Sequence, residues 1–384
     1  MKRSSQELAS HLKTKANELG FVRAACCPAI SIGRLPEFFA WLEAGYAGEM
    51  QWIEKRRDAY SHPSGVMDGV KSLLVLLFPY KTIQPEPSQP GQGRISRYAW
   101  GLDYHDLIRT RLKQLVYEYK SCVPDGHARG VVDTAPLLER EYAQLAGLGW
   151  IGKNTLLIDR KIGSWFFLAA LLIDQEVPYD QAYTTDDCAN CRACLDACPT
   201  DAFVEPRVLD ARKCISYLTI ESPGPIPIEL RTQIGDWVYG CDVCQDVCPY
   251  NKKSAALGIP ELYPRKEQTQ LDLLELFEVT EEAFRQRFRG TPIWRAKRRG
   301  LLRNAAIVLG NQKNPQAESA LLKGLADEEP LVRGASAWAL GELGNPTLIQ
   351  VLQARFQQEE EGEVKAEIQA AVHQLQRQGK LKEG

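Results

Sequence analysis

Cys188-Ala189-Asn190-Cys191-Arg192-Ala193-Cys194-Leu195-Asp196-Ala197-Cys198-Pro199 is the stretch on which the reading of this chain turns. Two-residue gaps let one tight loop aim three thiolates at three irons of one cubane. Cys198, beyond a three-residue gap, reaches a neighbouring cluster. A second array, Cys241-Asp242-Val243-Cys244-Gln245-Asp246-Val247-Cys248-Pro249, is one cysteine short, and Cys214 upstream is the natural substitute. The spacing predicts crossed ligation. One [4Fe–4S] cluster falls on Cys188, Cys191, Cys194 and Cys248, and the other on Cys198, Cys214, Cys241 and Cys244. Four-cysteine zinc sites also use two-residue gaps, but two arrays that each end in Cys-Pro fit zinc poorly. Cys26, Cys27 and Cys122 lack partner spacing and read as buried apolar residues. Two clusters form a wire for single electrons, so another part of the chain should hold the acceptor.

Outward from the cysteines, the 384 residues divide into three expected domains. Residues 1–180 alternate helical and strand patterns, as a multidomain protein's α/β (α+β) N-terminal cofactor domain would. Ser4 and Glu7 form a capping-box pair ahead of Leu8, Leu12, Ala16 and Leu19. Leu73–Phe78 is a continuous apolar run, expected to be a buried strand. Val131-Val132 reads as a short strand leading into Asp133, and Pro136–Gly147 as a helix with proline in its first turn. Residues 181–255 form a loop-rich, ferredoxin-like two-cluster domain. Residues 256–384 are predicted to be helical, with an internal repeat. Leu302-Arg303-Asn304-Ala305-Ala306-Ile307-Val308-Leu309-Gly310 is echoed by Val332-Arg333-Gly334-Ala335-Ser336-Ala337-Trp338-Ala339-Leu340-Gly341. Each copy is too short to bury its own apolar face, so stacked HEAT-like helix pairs are expected rather than a plain bundle. Glu359, Glu360, Glu361 and Glu363 read as a solvated face.

Net charge is −2, so only local clustering can speak for nucleic acid. Arg285, Arg287, Arg289, Arg295, Lys297, Arg298, Arg299 and Arg303 lie in a run with no acidic residue among them. Guanidinium forks suit phosphate oxygens, so Arg295, Lys297, Arg298, Arg299 and Arg303 are expected RNA contacts; a basic solvated helix end is the plainer reading. Trp294 could stack on a base or belong to the core. The first residues contain no apolar run, and no stretch of ~18 apolar residues occurs. The chain is therefore expected to be cytoplasmic, away from membranes and a monomer, with cysteines serving metal rather than disulfides.

Val131-Val132-Asp133-Thr134-Ala135-Pro136-Leu137-Leu138-Glu139-Arg140-Glu141, with Gly147-Leu148-Gly149-Trp150-Ile151-Gly152-Lys153-Asn154 after it, resembles the signature of the epoxyqueuosine reductases. So do Cys214-Ile215-Ser216-Tyr217-Leu218-Thr219-Ile220-Glu221 and the stretch from Trp294 to Asn304. That family is related to the reductive dehalogenases. The resemblance implies an oxidoreductase that reduces epoxyqueuosine to queuosine at the tRNA wobble position. It implies two [4Fe–4S] clusters and base-off cobalamin cycling between cob(II)alamin and cob(I)alamin. It implies as partners a tRNA anticodon stem-loop carrying epoxyqueuosine and a low-potential electron donor. An electron carrier with a helical docking scaffold, or a dehalogenase-like enzyme acting on a small molecule, are the competing readings. The large domain ahead of the clusters argues against the first. The basic run and the missing export signal argue against the second.

Under this resemblance, Asp133 is the expected proton donor to the opening epoxide, a role that asks for a carboxyl kept neutral by burial. Spacing alone allows it equally to be the N-cap of the Pro136 helix. Cobalamin is rimmed by amides and carries a phosphate. Arg57, Arg97, Tyr98, Asn154, Ser216 and Asp242, with Asp133, are its expected contacts; for Arg57 a solvated basic turn with Lys55 and Arg56 is the alternative. Asp103-Tyr104-His105-Asp106-Leu107-Ile108 is the nearest match to the Asp-x-His-x-x-Gly motif of cobalamin proteins that ligate cobalt through histidine. Ile108 replaces the required glycine, so His105 is not expected to ligate cobalt.

Overall fold

The apolar run around Leu73 folds as the strand Ser72–Pro79, buried at every position. In the computed structural model, which describes residues 4–265 and 268–383, this strand is central to a four-stranded sheet. The order is Arg23–Pro28, Ser72–Pro79, Phe166–Ile173, Ala128–Val131, and every neighbouring pair is antiparallel. The alternation of strand and helix in the sequence left α/β and α+β open; the antiparallel pairing makes this sheet α+β.

The chain forms two units. The first gathers the residues up to Ile83, Leu102–Ala211 and Asp242–Tyr263. The second takes Gln84–Gly101, Arg212–Cys241 and the chain from Pro264 onward. In the first unit, helix Ser5–Glu18 starts at the Ser4/Glu7 capping box and buries Leu8, Ala9, Leu12 and Ala16. Such a cap contributes ~1 kcal/mol. Helix Tyr104–Cys122 buries Ile108, Leu112, Leu115 and Tyr119. It approaches the sheet so closely that a Cβ on Gly130 would lie 2.6 Å from that of Leu112. The helix expected from Pro136 covers only Glu139–Leu145. Tight turns made by Thr134 N–H to Val132 O and Leu137 N–H to Ala135 O occupy the residues before it.

In the second unit, helices Lys297–Gln312, Glu318–Leu325, Pro330–Leu343, Leu348–Gln358 and Gly362–Glu383 form the C-terminal HEAT repeats. The two repeated segments are buried helices. Gly310 lets Lys297–Gln312 approach Pro330–Leu343, since a Cβ there would meet Trp338 at 2.7 Å. The repeated arginines are both interior anchors. Arg303 is 1% exposed. Its guanidinium donates to the carbonyls of Leu218 at 2.5 Å, Ser222 at 2.8 Å and Gly224 at 2.6 Å. Arg333 donates to the carbonyls of Asp327 and Glu328 and, through both ends of its fork, to Glu359 at 2.7 Å. The Glu359–Glu363 segment is therefore not wholly a solvated face. Glu359 is 3% exposed. Its hydrogen bond from Arg333 outweighs burial and, with help from Arg355, holds its carboxyl down to about 2.

A three-stranded sheet in the same unit pairs Gln92–Ile95 in parallel with Trp237–Tyr239 and antiparallel with Gln270–Asp272. Among the described residues, no helix is long and apolar enough to cross a membrane.

Arg303→Ala strips three carbonyls of their donor, that of Leu218 buried and those of Ser222 and Gly224 partly so. An unpaired buried polar group costs about 1–3 kcal/mol, so we expect a loss of at least ~3 kcal/mol, read as a lowered midpoint in chemical denaturation. Arg299→Ala, at an exposed position, should stay within about 0.5 kcal/mol of wild type.

Candidate functional site

Asp103 opens helix Tyr104–Cys122 as its N-cap. Its carboxylate accepts the His105 backbone N–H at 2.9 Å and meets His105 Nδ1 at 2.8 Å. This cap fixes the first helical turn, and with it Tyr104 and His105. The Tyr104 ring stacks on Phe167 of the central sheet, centroids 3.9 Å apart, and on the His105 ring at 4.1 Å. Both side chains reach one oxygen of Asp133. Tyr104 OH donates to Oδ2 at 2.5 Å, and His105 Nε2 lies 3.1 Å from the same atom.

Asp133 follows the edge strand Ala128–Val131 with φ +57°, in the left-handed region that disfavours side-chain-bearing residues. Its N–H donates to Glu139 Oε1 at 2.9 Å, which holds this conformation. One expectation is corrected here. Asp133 is no helix cap: the helix begins at Glu139, with Leu138 at the N-cap position and no side-chain cap. The protein alone leaves the Asp133 side chain 55% exposed.

Charge is concentrated around it. Burial pulls the His105 imidazolium down, but its hydrogen bonds to Asp103 and Asp133 and their charges outweigh this and push it up to about 9. Burial, reinforced by the charge of Asp133, pushes the Glu139 carboxyl up to about 8. The sequence motif pointed away from His105 as a metal ligand. Its place opposite Asp133 depends on the Asp103 cap and the Phe167 stack, which no short motif carries.

Cys188 of the first array lies against Trp150. Trp150 Nε1 donates to Cys188 Sγ at 3.3 Å, and Lys153 Nζ donates to the carbonyls of Ala189 at 2.6 Å and Cys191 at 2.9 Å. Cys248 of the second array packs with Trp150, Ile158, Cys188 and Tyr250. The Cys194 thiol is pushed up to about 11 by burial and by the charges of Cys188, Cys248 and Cys191. Cys198 Sγ accepts the Ala202 N–H at 3.4 Å. Cys214 caps helix Ile215–Ile220 through its backbone.

A buried polar network, invisible in the sequence, ties the cysteine helices to the sheet. Lys81 Nζ donates to the carbonyls of Asn251 and Ser254. Asn251 bonds Ser164 and the Gln245 carbonyl. Tyr80 OH and Ser164 Oγ both donate to Gln245 Oε1.

The expected cofactor contacts fall in different settings. Arg97, Asn154 and Asp242 are buried, at 5%, 3% and 1% exposure. Tyr98 and Ser216 are half-buried. Arg57 is bound by Glu43 and Glu54 and lies over the Phe39 ring. The basic run is thinned by tertiary partners. Arg285 pairs with Glu281, Arg287 with Glu275, Arg295 with Glu221 and Arg298 with Asp327. Arg303, expected at the RNA surface, is withdrawn into the interior. Lys297 and Arg299 stay exposed; Lys297 sits 4.6 Å from the Trp294 ring centre, and Trp294 is half-buried against Phe284.

The His105 site makes a pH prediction. A folded pKa of about 9 against an ordinary 6.5 means that its contribution to stability is complete below pH 6.5 and is lost as pH rises through about 9. NMR titration of the His105 ring should show a midpoint near 9, and a midpoint near 6.5 would contradict the pairing.

Comparison with known proteins places this geometry. Residues 61–134 match the family model described as epoxyqueuosine reductase QueG, DUF1730. Residues 187–251 match a 4Fe-4S double cluster binding domain, and residues 295–372 match HEAT repeats. The epoxyqueuosine reductase of Pseudomonas aeruginosa is 43% identical over 348 residues, covering 88% of this chain and 95% of its own. A solved epoxyqueuosine reductase with a tRNA-Tyr epoxyqueuosine-modified tRNA stem loop superposes with a TM-score of 0.90 at 30% identity, over 97% of this chain and 100% of that one. The Bacillus subtilis enzyme, solved with its catalytic aspartate loop swung out of the active site, superposes equally well, with a TM-score of 0.90, 30% identity and the same coverage.

Proposed function

The chain belongs to the epoxyqueuosine reductase family, and on that premise we propose that it reduces epoxyqueuosine to queuosine at the wobble position of tRNA, with Asp133 as proton donor. It is an oxidoreductase with a 4Fe-4S double-cluster domain ahead of HEAT repeats. The observation that carries the reading is the Asp133 carboxyl, presented at a strand end and held through Oδ2 by Tyr104 and His105. The solved relative's catalytic aspartate loop supports the same role. Opening an epoxide places negative charge on oxygen, and a positioned carboxylic acid meets it with a proton. The protein alone leaves this carboxyl largely open, so the bound substrate and cofactor supply the desolvation that favours its neutral form.

Cobalamin is the proposed cofactor, and when bound it supplies a strongly nucleophilic metal centre for two-electron reduction. Arg57, Arg97, Tyr98, Asn154, Ser216 and Asp242 are its proposed contacts. Guanidinium, hydroxyl and amide groups suit a ligand rimmed by amides and carrying a phosphate. One cluster is assigned to Cys188, Cys191, Cys194 and Cys248 on the cysteine pattern, with the packing of Cys248 beside Cys188 in support. The other is assigned to Cys198, Cys214, Cys241 and Cys244 on the cysteine pattern. Such clusters reach potentials near about −700 mV, suited to a low-potential external donor.

The test is an anaerobic assay with a tRNA stem-loop carrying epoxyqueuosine, reconstituted clusters, cobalamin and a low-potential reductant. Queuosine formation is the expected result. Asp133→Asn should bind both cofactors and RNA but turn over ~10²-fold or more slowly; near-normal turnover would remove Asp133 from the reaction.

For RNA binding, the exposed pair Lys297 and Arg299 is the proposed phosphate-contacting core of the basic run. Replacing both with Ala should weaken stem-loop binding and lower its log–log salt slope by about 0.7–0.9 per lost contact. An unchanged slope would place the RNA elsewhere.

A further inference from the structure

Reducing an epoxide to an alkene breaks both C–O bonds, forms one C=C π bond and releases the oxygen as water. The balance needs two electrons, drawn from the low-potential donor, and two protons. Asp133 holds only one proton. The remaining proton must reach the same oxygen before it leaves as water.

We propose, resting on the reading above, that His105 is the second proton source of this reaction, recharging Asp133 through Nε2 within a single turnover. Asp133 protonates the oxygen as the first C–O bond opens, and becomes a carboxylate. The His105 Nε2–H, 3.1 Å from Oδ2, then passes its proton to that carboxylate. Asp133 gives this proton to the oxygen as the second C–O bond breaks. Neutral His105 regains a proton from solvent, to which its side chain is 24% exposed.

Three features assign this role to His105 rather than to its neighbours. Asp103 Oδ1 holds Nδ1 at 2.8 Å, which orients the ring and stabilises the imidazolium. Tyr104 also touches Oδ2, but a phenol is a far weaker acid than an imidazolium; it orients the carboxyl. Glu139 contacts the Asp133 backbone N–H, so it positions the turn. The charged and titratable groups around the imidazole are Asp103 and Tyr104 on its own helix, Asp133 and Glu139 after the edge strand, and Arg109 acting on Asp103. Arg56 and Tyr60 act on the Asp133 side. The contact from Asp103, which does not depend on the state of Asp133, favours the protonated imidazole.

The experiment is single-turnover reduction of an epoxyqueuosine stem-loop by the holoenzyme, anaerobic and pre-reduced, across pH 6–10. Wild type should hold its rate and then lose it on the alkaline side as the imidazolium titrates. His105→Gln keeps an N–H donor for Asp133 but no transferable proton; it should fall ~10²-fold and lack that alkaline limb, with stem-loop affinity and cofactor spectra unchanged. Asp103→Asn preserves the helix cap and should move the limb to lower pH, a shift that a purely structural loss would not produce. His105→Gln within threefold of wild type, or an alkaline limb unmoved by Asp103→Asn, would overturn the proposal. If wild type itself leaves the epoxide intact at every pH, the parent reading of substrate fails, an outcome separate from any difference among these variants.

Discussion

The register between Ser72–Pro79 and Phe166–Ile173, Phe78 opposite Phe167 and Leu74 opposite Leu171, is the constraint from which the candidate site in the first unit follows. Side chains alternate across a sheet with a period of two, so a slip of one residue would send Phe167 to the opposite face. In the observed register, Phe167 meets Tyr104 on one side, centroids 3.9 Å apart, and Tyr80 on the other at 4.7 Å. Tyr104 holds Asp133, and Tyr80 holds Gln245 in the helix that contains Cys244. Val131, paired with Ala170 in the same sheet, brings the chain to Asp133. One pairing thus fixes both Asp133, the proposed proton donor, and a cysteine-bearing helix.

The local electrostatics follow from what is packed there. The carboxylates of Asp103 and Asp133 hold one imidazole, and a third carboxyl, of Glu139, takes the Asp133 N–H. Like charges at short range resist joint ionisation. Here the burden is shared: Glu139 is pushed toward its neutral form, while His105 gains a positive charge between Asp103 and Asp133. The left-handed backbone at Asp133 costs of order 1–3 kcal/mol. The Glu139 contact to its N–H helps offset that cost and keeps the carboxyl aimed at the two donors.

What the sequence made legible was local. The Ser4/Glu7 box, the buried run at Leu73 and the repeated helices depend on neighbours a few residues away, and the fold reproduces them. What it hid was set by distant partners. The basic run looked unopposed because its acids, Glu221, Glu275 and Asp327, lie outside it. Arg303 looked like a surface cation because its partners are backbone carbonyls, which carry no residue signature. The turns at Thr134 and Leu137 push the helix start to Glu139 and free Asp133 from capping. Pro136 had suggested an earlier start.

The same distinction explains why His105 escaped notice. Judged as a metal ligand it fails on a missing glycine, a local criterion. Its chemistry instead depends on three contacts brought together by folding: Asp103 at Nδ1, Asp133 at Nε2 and Tyr104 against its face. Asp103 is the economical part of the design. One carboxylate caps the helix, taking the His105 N–H, and orients the His105 ring. The residue that starts the helix therefore also sets the tautomer and charge of the side chain facing Asp133. Helix geometry and the proposed proton supply are coupled at that carboxylate, so the first turn cannot fray without loosening the imidazole from Asp133.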